Sequence, residues 1–122
     1  MRVKAIRTKF ENCPPAVAAF GSNATPTHLF IGKEYEVFSV SVFQSLVFVQ
    51  IINDSNHIAW LPTWFFESCD SSIAKDWICT FFSGELQMVM GPSFVAKDLE
   101  CYNQMVELDP VAVSALRKRY GI

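Results

Sequence analysis

Carboxylates, thiols and two imidazoles are the side chains of this chain with chemistry to offer. Asp54 could face Glu67 or Asp70 across a cleft as a general acid–base pair. Cys69 and His57 flank one strand–turn region, so a thiol nucleophile with an imidazole base would be drawn from them. No motif surrounds Cys69, and the enzyme reading is set aside. Cys13, Cys69, Cys79 and Cys101 are far apart without a C-x-x-C pair, and His28 and His57 are the only histidines. A four-ligand zinc site would need long-range convergence, so neither a metal nor a cofactor is expected. In a reducing compartment the thiols read as small buried side chains. The five glycines are scattered, and no Gly-rich run precedes a helix to cradle a phosphate.

Charge points to binding rather than turnover. The 122 residues carry a net charge of −2, which will not hold the chain on nucleic acid or an anionic membrane. That total hides a polarity. Arg2, Lys4, Arg7 and Lys9 lie at one end, and Arg117, Lys118 and Arg119 at the other. Between Phe10 and Leu116, three lysines against twelve carboxylates leave −9. Glu34, Glu36, Asp54, Glu67, Asp70, Asp76 and Glu85 fall at or near turns and strand ends, where they can converge on a surface that attracts a basic partner. Of these, Asp54, Glu67, Asp70, Asp76 and Glu85 are the candidate binding residues. Trp60, Trp64, Phe65 and Phe66 cluster around Pro62. They line a peptide groove or plug the end of a small barrel, and Trp64 is the candidate interface anchor. Single-strand nucleic-acid binding would need cations among these rings, and carboxylates stand there instead.

The elements that must position these residues follow from pattern. With 51% hydrophobic and 18% charged residues, the chain reads as a single globular domain, 1–122. No apolar stretch approaches the roughly 20 residues of a membrane span, and the first residues lack the core of an export signal. A soluble, cytoplasmic monomer or homodimer is expected. Residues 2–10 read as a first strand and Cys13 to Thr27 as an irregular surface loop. Tyr35 to Phe43 alternates as a strand, Gln44-Ser45 turns the chain, and Leu46 to Ile52 is apolar on both faces, as in a central strand. Asn53-Asp-Ser-Asn56 is a turn, and His57 to Leu61 a short strand ended by Pro62. A second hairpin spans about 77–90 around Ser83-Gly84. Val95, Leu99, Tyr102 and Val106 have helical spacing. Asp109, Pro110 and Gly121 bound a last helix with Val113, Leu116 and Tyr120 on its inner stripe. The fold class is α+β, with the sheet covered by two C-terminal helices at about 94–121.

Residues 28–77 carry a family resemblance. His28-Leu-Phe-Ile-Gly-Lys-Glu-Tyr-Glu-Val37 looks like the first strand of a small SH3-like antiparallel barrel, here about residues 28–70. Ala59-Trp-Leu-Pro-Thr-Trp-Phe65 resembles the strand and short turn that end such barrels. Phe66-Glu-Ser-Cys-Asp70, Ile73-Ala74 and Trp77 resemble a group of small uncharacterised bacterial proteins found beside polymorphic-toxin genes and taken to be immunity proteins. The resemblance implies a barrel extended by a second hairpin and C-terminal helices. It also implies a role in binding and neutralising a cognate toxin with a basic surface. The alternative is an SH3-like protein- or peptide-binding module with an endogenous partner.

Overall fold

A strand apolar on both faces is stable only inside a sheet whose two sides are covered. The computed structural model, which describes residues 1–122, places Leu46–Ile52 in that position. Eight strands form two antiparallel sheets: β1 (Arg2–Ala5), β2 (Glu34–Glu36), β3 (Ser39–Phe43), β4 (Leu46–Ile52), β5 (Ile58–Pro62), β6 (Phe66–Asp70), β7 (Ile78–Phe81) and β8 (Leu86–Gly91). Three of them are ordered β2-β1-β6, and the other five β5-β4-β3-β8-β7. Helices α1 (Pro15–Ala18), α2 (Ser93–Ala96), α3 (Leu99–Val106) and α4 (Pro110–Tyr120) complete an α+β fold. No helix is long and apolar enough to cross a membrane.

Turn chemistry sets the hairpins. Gln44 and Ser45 both take positive φ, 49° and 63°, in the two-residue turn that matches strand twist between β3 and β4. Between β4 and β5, Asn53 Oδ1 accepts from the Ser55 and His57 backbone N–H groups. Four residues, 82–85, rather than Ser83-Gly84 alone, link β7 to β8.

The strand expected from Tyr35 to Phe43 is broken. Val37 N–H donates to Met1 O at 2.9 Å, whereas Phe38 N–H donates to Gln50 O at 2.9 Å. The chain thus passes from the small sheet to the large one between these two residues, and both are buried. From β5 it returns through a 3-10 turn (Thr63–Phe65) into β6. The first strand is also shorter than residues 2–10. Beyond Ala5 the N–H groups of Ile6 and Arg7 both turn to Phe65 O.

The segment 13–27 is more ordered than an irregular loop. Pro15 opens α1, Val17 is buried, and Phe20 packs edge-on to Phe48 at 4.9 Å.

The helical stripe Val95-Leu99-Tyr102-Val106 does not hold as one face. Asp98 accepts from Cys101 N–H and starts a new helix, so Val95 is buried in α2 while Leu99 and Val106 are exposed on α3. Met105 takes the inward position. The last helix keeps its boundaries: Asp109 accepts from Val111 and Ala112 N–H, and Gly121 closes it at φ 67°. Leu116 is fully buried, with Val113 and Tyr120 half-buried.

The large sheet divides the core. Val40, Val49, Ile51 and Leu61 pack with Val3, Ala5, Tyr35, Phe65 and Phe66 of the small-sheet side. On the other side Phe38, Leu86 and Val89 meet Val95, Met105, Ala112 and Leu116. The helix-facing side also carries buried Ser39, Ser41 and Gln50, with Ser39 Oγ donating to Gln50 Oε1 at 2.6 Å. Gly91 permits the tight approach there, since a Cβ on it would lie 2.7 Å from that of Ser39.

Candidate functional site

Alternation along β1 decides what the small sheet shows to solvent. Val3 and Ala5 point into the core, so Arg2 and Lys4 point out. Register then sets their neighbours. Arg2 stands opposite Glu36 and Lys4 opposite Glu34 on β2. On β6, Lys4 meets Glu67, and a register shift that accommodates Cys69 brings Asp70 opposite Arg2. The outer face is therefore a cationic strand between two acidic ones, two positive charges among four negative ones. Arg2 Nε lies 3.5 Å from Glu34 Oε1.

At one end this face turns apolar. Ala5 N–H donates to Lys33 O and Gly32 N–H donates to Ala5 O, extending the pairing towards the turn that carries Phe30 and Ile31. Those two residues are 64% and 66% exposed, and Ile6 beside them is 39% exposed. Trp64 closes the same end. Arg7 Nη1 donates to Trp64 O at 2.5 Å, and its guanidinium lies 4.5 Å from the indole centroid. The tryptophan is consequently half-buried under a cation rather than an open groove wall.

Asp54 is built into this end as a tie. It accepts from Lys33 Nζ and from the Tyr35 hydroxyl, and Tyr35 Oη accepts from Phe30 N–H at 3.0 Å. Burial works to raise its carboxyl, but the bonds from Lys33 and Tyr35 outweigh it and hold the group below the usual aspartate range. Burial, then the Asp54 bond, pushes the Tyr35 phenol up to about 12. Asp70 is held low by hydrogen bonds from Ser72, its hydroxyl and its N–H.

The sequence-predicted residues are thus divided. Trp64, Glu67 and Asp70 lie on or beside the small sheet, with Asp54 anchoring its end. Asp76 is elsewhere, in a bidentate pair with Arg119 at 2.7 and 2.8 Å. Glu85 lies in the β7–β8 link, where it accepts from Gln44 Nε2 at 3.4 Å. Ile6, Phe30 and Ile31 were not legible as site residues, because only the β1–β2 pairing brings them together.

The thiols depart from expectation. Cys69 and Cys79 are exposed, while Cys13 and Cys101 are half-buried, and all four are free. Cys69 occupies the β6 irregularity on a strand of the small sheet, so its side chain is not drawn into the core. Local desolvation and then Glu34 raise its pKa, with Lys4 and Arg2 opposing. A thiol placed beside a carboxylate is the reverse of an activated nucleophile, and His57 is not among the groups acting on it. No group of three or more His, Cys, Asp or Glu side chains is placed to hold a metal ion. No protein-family model, curated protein or solved structure matches the chain.

Proposed function

We propose that the chain is a cytoplasmic immunity protein that neutralises a cognate antibacterial toxin by covering its active site. It docks through the outer face of the small sheet. The observation that carries this reading is the make-up of that face: Glu34, Glu36, Glu67 and Asp70 around two cations, ending in exposed Ile6, Phe30 and Ile31. Apolar anchors supply most of the binding energy in such interfaces, and the surrounding charge supplies association rate and partner choice. The complement is a basic cleft, as in a nuclease. The strand path supports the finer fold. The transfer between sheets at Val37-Phe38, then β4, β5, the 3-10 turn and a return of β6 to β1, resembles an SH3-like barrel, with β7, β8 and the helices as an extension.

The test is co-expression with the product of the adjacent gene, scored by growth rescue and by binding kinetics. E67Q/D70N removes charge without placing like charges opposite Lys4 and Arg2. It should slow association roughly tenfold at low salt and leave dissociation nearly unchanged. F30D/I31D should instead speed dissociation by about thirtyfold or more. A toxin-type product that binds and is neutralised equally well by both variants would overturn the docking face. Association with a housekeeping product in place of a toxin would favour the endogenous-partner module.

A further inference from the structure

Strands at the edge of a sheet leave backbone groups unpaired and are normally guarded by charge or proline. Three of the four edges of this fold follow that rule. β2 and β6, the edges of the small sheet, carry Glu34, Glu36, Glu67 and Asp70, and β5 ends in Pro62. β7, the other edge of the large sheet, has neither charge nor proline. Ile78, Cys79 and Phe81 on it are exposed, and Phe81, at 80%, is the most exposed large apolar side chain of the protein.

Alternation along β7 fixes which backbone groups are free. Phe82 N–H donates to Gln87 O at 2.9 Å, so residue 82 faces β8, and Thr80 and Ile78 face it with the same parity. Cys79 and Phe81 therefore turn their N–H and C=O groups away from β8, and no strand lies on that side. Phe81 stands opposite Met88 and Cys79 opposite Met90, so these four side chains share one face of the sheet. Across β8 and β3 the Phe81 row continues through Met88 and Val42 to Val47, apolar throughout.

We infer that this edge pairs antiparallel with the same edge of a second copy, about a two-fold axis at Thr80. In that register Cys79 of each copy stands opposite Phe81 of the other, and every N–H and C=O group that β7 leaves free finds a partner. Each Phe81 ring is laid over Cys79 of the second copy towards its Met90, which joins the two apolar faces. Charge selects the orientation. Lys75 precedes β7 and Glu85 follows it, both exposed and neither in an ion pair. Antiparallel pairing brings Lys75 of each copy to the level of Glu85 of the other, whereas a parallel pair would set like charges side by side. Asp76, next to Lys75, is already held by Arg119. The strand is thus complementary to itself in backbone, apolar face and flanking charge, which identifies the partner as this same chain. A two-fold contact of this kind occupies both β7 edges and closes at the dimer. The outer face of the small sheet is no part of it, so the pairing stands or falls apart from what docks there.

Sedimentation of the full chain should show a reversible monomer–dimer equilibrium. Phe81→Lys, made where the side chain meets solvent, should weaken it about thirtyfold or more and leave the circular dichroism spectrum unchanged. Lys75→Glu should weaken it roughly fivefold at low salt, and K75E/E85K, which exchanges the two charges, should restore it. Amide hydrogen exchange read by NMR should show the Cys79 and Phe81 N–H groups protected in proportion to the dimer fraction. A chain that stays monomeric up to roughly 1 mM would overturn the inference. A dimer that survives F81K, or that K75E leaves unweakened, or that K75E/E85K fails to restore, would also overturn it. So would a dimer in which the Cys79 and Phe81 amides exchange freely, because the contact would then lie on another face.

Discussion

Asp54 shows how one carboxylate can be structural while looking like a docking residue. Its side chain is 13% exposed and meets Lys33 and Tyr35, so a partner would have to break those bonds to reach it. The consequence is a pH dependence with a defined sign. A depressed aspartate stabilises the fold fully above its unfolded value near 3.8, and loses that contribution as pH falls through the lower folded value. Tyr35 acts at the other end of the scale. Its folded pKa of about 12 exceeds the ordinary 10.0, so its contribution is complete below pH 10 and declines as pH rises towards 12. D54N should lower stability at neutral pH by about 1–3 kcal/mol, because Tyr35 and Lys33 lose their charged acceptor. It should also flatten the acid limb of the stability profile. Y35F should reduce the alkaline decline, leaving the part that the raised Tyr102 and Tyr120 phenols contribute. Urea unfolding between pH 3 and 11 measures both, and an acid limb unchanged in D54N would remove Asp54 from the account.

At the scale of elements, the β3–β4 turn carries a cost that can be relieved. Gln44 and Ser45 both occupy the left-handed region, which costs an L-residue with a side chain about 1–2 kcal/mol. Ser45 is held only through its backbone, with its N–H donating to Gln87 Oε1 at 2.6 Å. Ser45→Gly keeps that bond and should raise stability by about 1 kcal/mol, read as a higher denaturant midpoint at constant slope. A fall in the midpoint would mean that glycine's unfolded-state freedom outweighs the strain. Such turns were legible in the sequence, as were the central β4 and the capped α4, because each rests on residues adjacent in the chain. The break at Val37-Phe38 left only a trace: the apolar parity shifts there from Tyr35 and Val37 to Phe38, Val40 and Val42, but nothing local says that the hydrogen-bond partner switches from Met1 to Gln50. The split of α2 from α3 was hidden in the same way: Asp98 caps without disturbing the apolar spacing. Of the candidate site, Trp64, Glu67 and Asp70 could be named because they are close in sequence. The face they share with Glu34 and Glu36 depends on β1 inserting between β2 and β6, a long-range pairing that local pattern does not encode. The polarity of charge along the chain misled for that reason, since the basic first strand is folded between acidic ones and Arg119 is spent on Asp76.

For the whole molecule the large sheet is a wall common to two cores, and the last turn of α4 fastens the helical layer to it. Trp77 Nε1 donates to Tyr120 Oη at 3.1 Å, and Tyr120 Oη donates to Phe38 O at 3.4 Å. The Phe38 and Tyr120 rings meet edge-on at 4.6 Å. Next to them Arg119 grips Asp76 ahead of β7. If the helices could detach, Phe38, Leu86 and Val89 would meet water together with the polar row of Ser39, Ser41 and Gln50, whose backbone pairing holds the sheet that the other core also needs. Loss of one layer therefore undermines the other, and unfolding should be a single cooperative event over residues 1–122. Tyr120→Ala tests that coupling. Removing a half-buried ring with two hydrogen bonds should cost about 2–3 kcal/mol. Far-ultraviolet dichroism, dominated by the helices, and the fluorescence of Trp64 and Trp77, which pack on the opposite core, should still share one midpoint, with Trp60 alone replaced by phenylalanine so that the Trp77–Tyr120 bond stays in the reference protein. A helical transition that precedes the tryptophan transition would mean that the two layers are separate folding units and that the sheet transmits nothing between the helical layer and the small-sheet core.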